Sequence, residues 1–324
     1  MNEVRTIPVA TEDAGMRLDR WFRRHFPALP HARLEKLLRT GQVRVDGARA
    51  KANLRLAEGQ AVRVPPIAEG EAQKPRPMLP RADDREAVAR MTIYEDDEVL
   101  VLDKPPGLAS QGGSGLTRHV DGLLQSLVDR KGERPRLVHR LDRETSGVLL
   151  VAKSRRVAAS LSAAFRTRAV EKLYWGLSIG VPQPREGLVK LALKRIAVGG
   201  EDRMVPAEGE EEGQRAATRY AVLATAGKRA AFLALQPVTG RTHQLRAHCA
   251  ALGTPLVGDG RYGAAKGALG PEIADLLHLH ARSIRFPRTD GRRVEVTAPL
   301  PPHMRASWAL LGFDPDERAD PFAR

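Results

Sequence analysis

The sequence predicts an α+β protein whose larger domain is a mixed, largely antiparallel sheet with flanking helices. The chain has 324 residues, about twice the length of an average domain. Its strand-like runs outnumber its helical patterns and do not alternate with them one for one, as a doubly wound parallel sheet would require. Apolar residues make up 42% of the chain and charged residues 28%, a balance typical of globular proteins.

The strands and helices of the larger domain are predicted from the spacing of apolar residues. Strand-like runs cover residues 98–102, 147–152, 174–179, 218–223, 230–235 and 294–297. Helical spacing is present over 156–168 and 244–252. The glycine-rich, acidic segment 199–214 is expected to be a solvent loop between strands. This domain is therefore predicted over 87–313, and the polar tail over 314–324 is expected to fray.

A small α/β module is predicted over residues 11–64. Apolar residues at spacing i, i+3, i+4 and i+8 mark one face of a first helix: Leu18, Trp21, Phe22 and Phe26. A second short helix carries Leu34, Leu37 and Leu38. Gly41 is placed to end that helix, and Asp46-Gly47 is a hairpin turn signal. Val62 and Val64 predict the closing strand.

A linker is predicted over residues 65–86. Five prolines lie there among charges of both signs, and the segment has little periodicity. Because such a segment is semi-extended, the flanking domains are expected to move relative to each other.

The charge of the chain favours a polyanionic partner. The net charge is +14 and the pI is near 10.4, and Lys and Arg release the counterions condensed on phosphates. A GC-rich genome would produce the same excess of Arg over Lys without selection for binding. Residues 1–64 carry 13 Lys and Arg against 7 Asp and Glu. RNA binding by the module is therefore favoured over an ordinary helical cap with a solvated basic face.

Several classes of protein and site are excluded. No run of about 18 apolar residues is present to span a membrane, and the N-terminus lacks the apolar core of a secretory signal, so a cytoplasmic protein is expected. The single cysteine, Cys249, excludes an intramolecular disulfide. The histidines match no zinc spacing. No GxxxxGK[ST] or GxGxxG loop indicates a nucleotide cofactor, and no GxSxG elbow indicates a hydrolase.

A first candidate for chemistry is the polar stretch HRLDRETSG at 139–147, directly before the apolar strand GVLLVA. Asp142 lies between Arg140 and Arg143, and nearby positive charge favours the ionised form of a carboxylate. An ionised carboxylate suits a nucleophile or a base. The alternative is a surface Asp–Arg pair of little energetic value.

A second candidate is TGRTHQLRAH at 239–248, where a turn at Gly240 precedes a helix that begins at Gln244. Two arginines and two histidines lie near the helix N-terminus, where backbone N–H groups favour anions. The sequence therefore predicts phosphate or carboxylate binding, and the alternative is a helix cap with solvated basic side chains.

The chain resembles the RluA-type pseudouridine synthases, in the subgroup that modifies large-subunit ribosomal RNA. HRLDRETSG is similar to the catalytic signature of that family. Four other stretches resemble its landmarks: VLDKPPGL at 101–108, EKLYWGL at 171–177, TGRTHQLRAH at 239–248 and PLVGDGRYG at 255–263. The first block resembles the alpha-L RNA-binding module of small-subunit ribosomal proteins. The resemblance extends over about residues 11 to 312.

This resemblance implies a set of roles for particular residues. Asp142 is implied as the catalytic carboxylate, Tyr174 as the residue that stacks on the uracil and as a candidate for proton removal, and Arg246 as the partner of Asp142. The implied substrate-binding residues are Arg140, which is placed to fill the space of a flipped base or hold a phosphate, Arg241 and His243. The RNA-binding residues expected in the module are Arg17, Arg20, Arg33, Lys36, Arg39 and Arg44.

The family needs no cofactor and no metal, so neither is expected here. Its partner is large-subunit ribosomal RNA or a pre-ribosomal particle, and a monomer is expected. The resemblance leaves open whether the carboxylate attacks C1′, attacks C6 of the base or removes the C2′ proton. A ribosome-assembly factor without catalysis, another RNA-modifying enzyme such as a methyltransferase, and a transfer-RNA target are the alternatives.

Overall fold

The computed structural model describes residues 4–27, 29–67, 83–112, 116–129, 132–198, 201–207 and 213–323. The chain divides into two compact units, Met1–Leu79 and Pro80–Arg324. Most of the predicted linker, residues 68–82, lies outside the described residues. The first helix of the second unit begins at Asp84, three residues before residue 87, where the larger domain was predicted to begin.

The N-terminal unit combines two helices with a four-stranded sheet among its described residues. Its elements are β1 (Arg5–Pro8), α1 (Leu18–His25), α2 (His31–Arg39), β2 (Arg44–Val45), β3 (Ala48–Arg49) and β4 (Ala61–Val64). The strand order is β1-β4-β2-β3, and all pairs are antiparallel. The predicted apolar face of α1 is buried at Leu18, Trp21 and Phe22. Asp46 and Gly47 have φ of +49° and +76°, as expected for a hairpin turn of type I′.

Strand β1 was not predicted. It precedes the predicted module and pairs with β4 along its whole length. Of its four residues only Ile7 is partly buried, so the short segment lacks the apolar alternation that identifies a strand in a sequence.

The second unit is built on a ten-stranded sheet. Its elements are α3 (Asp84–Met91), β5 (Thr92–Glu95), β6 (Val99–Lys104), α4 (Val120–Leu123), β7 (Arg136–Leu137), β8 (Ser146–Ala152), α5 (Arg155–Arg166), β9 (Glu171–Ile179), β10 (Glu186–Lys190), β11 (Leu193–Val198), β12 (Glu201–Pro206), β13 (Ala217–Ala226), β14 (Ala230–Pro237), α6 (Gln244–Ala251), β15 (Leu279–Pro287), β16 (Arg293–Thr297) and α7 (Pro302–Leu311).

The strand order of the large sheet is β10-β13-β14-β9-β15-β8-β6-β5, with β16 beside β15 and β7 beside β8. The described pairs are antiparallel except for β15 with β8. The predicted α+β class is confirmed, and each of the six predicted strands and both predicted helices is present. Strand β9 lies in the middle of the sheet, and its side chains alternate between two cores, with Trp175 on one face and Tyr174 on the other.

Two predictions about irregular segments were wrong. Segment 199–214 is a loop only in part, because β12 pairs with β11 and buries Met204; residues 199–200 and 208–212 lie outside the described residues. The C-terminal tail is not simply frayed, because Phe322 packs against the core that contains Trp308. In each segment an apolar side chain within a polar stretch packs into the core of the second unit.

No helix in the described parts of the chain is long and apolar enough to cross a membrane.

Candidate active site

The loop between β7 and β8 carries Asp142 and is fixed from the segment that follows β6. The hydroxyl of Ser110 donates to the carbonyl of Leu141 at 2.8 Å and accepts from its amide at 3.0 Å. Lys104 Nζ donates to the carbonyl of Arg143 at 3.1 Å and to two carbonyls of its own loop at 2.8 Å. Lys104 is fully buried, and this burial lowers its pKa to about 8. Asp142 therefore projects from a backbone held on both sides by buried hydrogen bonds.

Gly147 sets the spacing between this loop and the middle of the sheet. Its φ is +102°, and a Cβ atom there would lie 2.2 Å from the carbonyl oxygen of Ala281. Ser146 and Gly147 lie in parallel register with His280 and Ala281. A side chain at Gly147 would push β15 away and would move the loop that carries Asp142.

The facing wall of the site is the turn before α6. Gln244 Oε1 accepts from the hydroxyl of Thr239 at 2.6 Å and from the amide of Arg241 at 3.1 Å. Its Nε2 donates to the hydroxyl of Thr218 at 2.9 Å and to a carbonyl of β13 at 2.8 Å. His243 precedes the helix in a left-handed conformation, with φ of +50°. Gln244 thus ties the turn to the sheet and fixes the direction of the side chains at its end.

The side-chain nitrogens that face the Asp142 carboxylate come from this second wall. Arg246 Nη1 lies 4.0 Å from Asp142 Oδ2, and His243 Nε2 lies 3.9 Å from it. The arginines adjacent in sequence do not have this role in the described structure. Arg143 is engaged by a backbone carbonyl and a neighbouring acid, and Arg140 is exposed. The local charge pattern selected Asp142 but attributed its positive surroundings to Arg140 and Arg143, whereas the described structure places Arg246 there.

Arg246 has a second acid as its main partner. Its Nε and Nη2 donate to the two carboxylate oxygens of Asp259 at 2.7 and 2.6 Å. The exposed fraction is 8% for the Arg246 side chain and 0% for that of Asp259. The hydrogen bond to Asp259 helps to raise the pKa of Arg246 against the effect of burial. This bidentate pair holds the guanidinium rigidly, with its third nitrogen directed toward Asp142.

Tyr262 connects His243 to strand β12. Its hydroxyl accepts from the amide of Met204 at 2.9 Å and lies 3.1 Å from His243 Nδ1. Burial lowers the pKa of His243, so the ring is neutral. The direction of the Tyr262–His243 hydrogen bond depends on the tautomer of the ring. In the tautomer that carries the ring proton on Nε2, the hydroxyl donates to Nδ1 and the N–H faces Asp142. The Tyr262 ring also contacts the Arg246 guanidinium, 5.1 Å from its centroid. Sequence reasoning selected neither Tyr262 nor Asp259.

Tyr174 lies in the middle of β9 beside this group. It is buried, and burial together with the Asp142 charge raises its pKa. The phenol is therefore neutral and a poor base, whereas its ring lines the cavity beside Asp142. That cavity has a volume of about 120 Å³ and is bordered also by Arg140, Arg241 and His243.

A larger cleft runs along the same face of the sheet, with a volume of about 1580 Å³. Arg140, Lys172, Tyr174 and Arg241 border both cavities. Its other cationic borders are Arg166, Arg168, Lys190, Arg215, Arg219, Arg285 and Arg293. Among its described borders Glu171 is the only acid, and it binds Arg285 and Arg293 at 2.9 and 3.2 Å. A positively charged cleft of this volume suits a polyanion.

Other predicted residues have different surroundings. His248 was expected near an anion site, but it is buried and hydrogen-bonded to the Thr218 hydroxyl and the Leu191 carbonyl. Arg241 is exposed, and its Nε donates to the Arg215 carbonyl. Within the described ranges, no group of three or more His, Cys, Asp or Glu could hold a metal ion.

The six cations selected in the N-terminal unit lie on its surface. Arg17 pairs with Asp19 at 2.6 Å, and Arg44 donates to the carbonyls of Gly41 and Gly47. The four on the two helices are also exposed: Arg20, Arg33, Lys36 and Arg39. Their convergence on one RNA-binding face stays a prediction.

Comparison with known proteins is consistent with this site. Residues 98–251, which include both loops, match the family model described as RNA pseudouridylate synthase. The chain is 36% identical to "Ribosomal large subunit pseudouridine synthase C" of Vibrio cholerae, over 96% of this chain and 99% of the relative. The protein of the same name from Escherichia coli is also 36% identical, over 92% and 93%.

Solved structures show the same fold. The human "RNA Pseudouridylate Synthase Domain Containing 4" is 29% identical with a TM-score of 0.58, over 70% of this chain and 95% of that one. The human "RNA Pseudouridylate Synthase Domain Containing 1" is 32% identical with a TM-score of 0.52, over 66% and 86%. Since the bacterial relatives match at more than 30% identity along nearly their whole length, the chain belongs to the RNA pseudouridylate synthase family.

Proposed function

We propose that the protein converts specific uridines of large-subunit ribosomal RNA to pseudouridine, with Asp142 as the catalytic carboxylate. The observation that carries this proposal is the Asp142 carboxylate itself. It lies on a loop fixed by buried hydrogen bonds and faces Arg246 and His243. It also borders a small cavity beside a basic cleft. The names of the curated bacterial relatives support ribosomal RNA of the large subunit as the substrate.

The reaction breaks the N1–C1′ bond of uridine, turns the base and forms a C5–C1′ bond, while the C5 proton leaves. It is redox-neutral and isomeric, so the proposal includes no cosubstrate. The uridine must leave its stack before it enters a site of this kind, at a cost of a few kcal/mol. Arg140, exposed at the border of both cavities, takes the space that the base leaves.

The residues around Asp142 then have separate tasks. Arg246, held by Asp259, keeps positive charge next to the carboxylate, and the neutral ring of His243 directs its N–H toward the same oxygen. Tyr174 stacks on the uracil, a role supported by its buried ring and its raised pKa. Arg241 binds the RNA backbone at the entrance. The N-terminal unit contributes further phosphate contacts through its exposed cations. The protein acts as a cytoplasmic monomer in this proposal.

Tritium release from RNA labelled at uridine C5 tests the reaction, because the new C5–C1′ bond expels that hydrogen. Wild type is expected to release tritium from protein-free large-subunit ribosomal RNA taken from cells that lack the enzyme. Asp142→Asn keeps the size of the side chain and is expected to release none at an unchanged Tm. If folded wild type releases no tritium from this RNA or from transfer RNA, the proposal fails, and an assembly factor becomes the better explanation.

A further inference from the structure

Two lysines are partly or fully buried near the active site, and their surroundings differ. Lys104 donates three hydrogen bonds to backbone carbonyls. Lys172, at the start of β9, has no such support: among the described residues its Nζ makes no hydrogen bond and no ion pair. Its ammonium group lies over the ring of Phe165, whose centroid is 5.8 Å away. A partly buried ammonium that borders a cleft and has no ion pair leaves its donors available to a negatively charged ligand.

The position of Lys172 relates it to the reacting base. Lys172 and Tyr174 are two residues apart on β9, whose residues stay in consecutive register while the irregularity lies on β15, so their side chains lie on the same face of the sheet. Both border the small cavity beside Asp142 and the long basic cleft. The neighbouring acid, Glu171, is engaged by Arg285 and Arg293. Lys172 therefore lies where the cleft meets the cavity, close to the Tyr174 ring on which the base is proposed to stack.

We propose that Lys172 binds the one RNA phosphate adjacent to the flipped uridine and so fixes the position of that nucleotide over Tyr174. This inference rests on the proposed function. Lysine suits the task because a single ammonium is a point charge with three donors. Burial lowers the pKa of Lys172 to about 8, and a bound phosphate would raise it again, so the ammonium form is retained while RNA is bound.

The position of the modified uridine is first mapped in large-subunit ribosomal RNA, and the test then replaces single phosphates in a synthetic stem-loop that contains this uridine. Each phosphate around that uridine is changed in turn to an uncharged methylphosphonate. For wild type, one position is expected to lower kcat/KM by about tenfold, the equivalent of one charged hydrogen bond. Lys172→Gln is expected to lose about tenfold on the unmodified RNA and to show no further loss at that position.

Two matched variants complete the design. Lys172→Arg keeps the charge and is expected to retain the methylphosphonate penalty. Lys190→Gln removes a charge that borders only the larger cleft and is expected to keep the full penalty at the same phosphate. Tm measurements on all variants identify any that lose the fold.

The inference is overturned if Lys172→Gln shows the same penalty as wild type at every phosphate, or if it loses no more activity than Lys190→Gln. A failure of the proposed function is a different result, because wild type would then not modify even the unsubstituted stem-loop.

Discussion

In the N-terminal unit the selected cations lie on exposed surfaces, whereas in the second unit cations line a cleft that leads to a partly buried carboxylate. Exposed charges are screened by salt and interact weakly with any single partner. Charges beside a partly buried carboxylate act more strongly because water screens them less. The difference predicts that the first unit contributes to how tightly RNA is held, and that the second determines whether the reaction occurs.

The largest effect on stability in the second unit is expected from Asp259→Asn. The change removes half of a buried ion pair and leaves Arg246 without its counter-charge, which should cost about 3–5 kcal/mol of stability. Because Arg246 would no longer be held toward Asp142, kcat should fall by about 10². Urea unfolding and tritium release measure the two losses. Asp275→Asn, at an exposed position of the same unit, is the control, and equal losses in both variants would contradict the role of the pair.

As the pH falls, the second unit should lose folding stability before the N-terminal unit does. Burial lowers the pKa of His139 and His280 to about 3 and that of His278 to about 4. As pH falls from about 6.5 toward 4, the unfolded chain takes up protons that the folded chain does not. Each of the three groups then removes up to about 1.4 kcal/mol of stability per pH unit.

Hydrogen exchange of the full chain at about pH 7, 5.5 and 4.5 measures this effect in each unit, on either side of the ordinary histidine pKa. His278→Gln should make the pH dependence of the second unit shallower, since one of the three titrations is removed. If peptides of the N-terminal unit open first as the pH falls, the explanation through buried histidines is wrong.

A smaller effect is expected from Tyr262→Phe. The change removes the hydroxyl that accepts from Met204 and orients His243, and it leaves a buried N–H without a partner, at a cost of about 1–3 kcal/mol. The rate should fall by about tenfold with little change in KM, because Tyr262 does not border the RNA cleft. A change in KM alone, with kcat preserved, would contradict the assignment of Tyr262 as a positioning residue.

Most of the fold and the central part of the site could be predicted from the sequence, for identifiable reasons. Strands such as β8 and β9 are continuous apolar runs, and α1 has a complete helical stripe. Asp142 and Tyr174 lie in motifs dense enough to be recognised. Asp259, Tyr262 and Lys104 lie in the landmark stretches 255–263 and 101–108, but they received no role because each acts through a contact with another part of the chain. Arg246 is 13 residues from Asp259 and Met204 is 58 residues from Tyr262, and such pairings have no local signal. The β11–β12 hairpin was missed because Met204, the one deeply buried side chain among the described residues of β12, lies in a polar stretch that shows no apolar alternation.

The smallest individual effects are expected from the exposed cations of the N-terminal unit. Each of Arg20→Gln, Lys36→Gln and Arg39→Gln should raise the Kd for RNA by a few-fold. The slope of log K against log salt should become shallower by about 0.7–0.9 for every phosphate that the protein no longer neutralises. Equilibrium binding over a range of salt concentrations measures both. An unchanged slope in the triple variant would show that this surface is not the RNA-binding face.

The most direct test of the division between the two units is the single-turnover rate at saturating RNA, measured by tritium release. The triple variant Arg20→Gln, Lys36→Gln, Arg39→Gln should reach the wild-type maximal rate at higher RNA concentration, and Asp142→Asn should show no turnover at any concentration. A triple variant whose maximal rate falls as far as that of Asp142→Asn, or an Asp142→Asn protein that turns over RNA, would contradict the account.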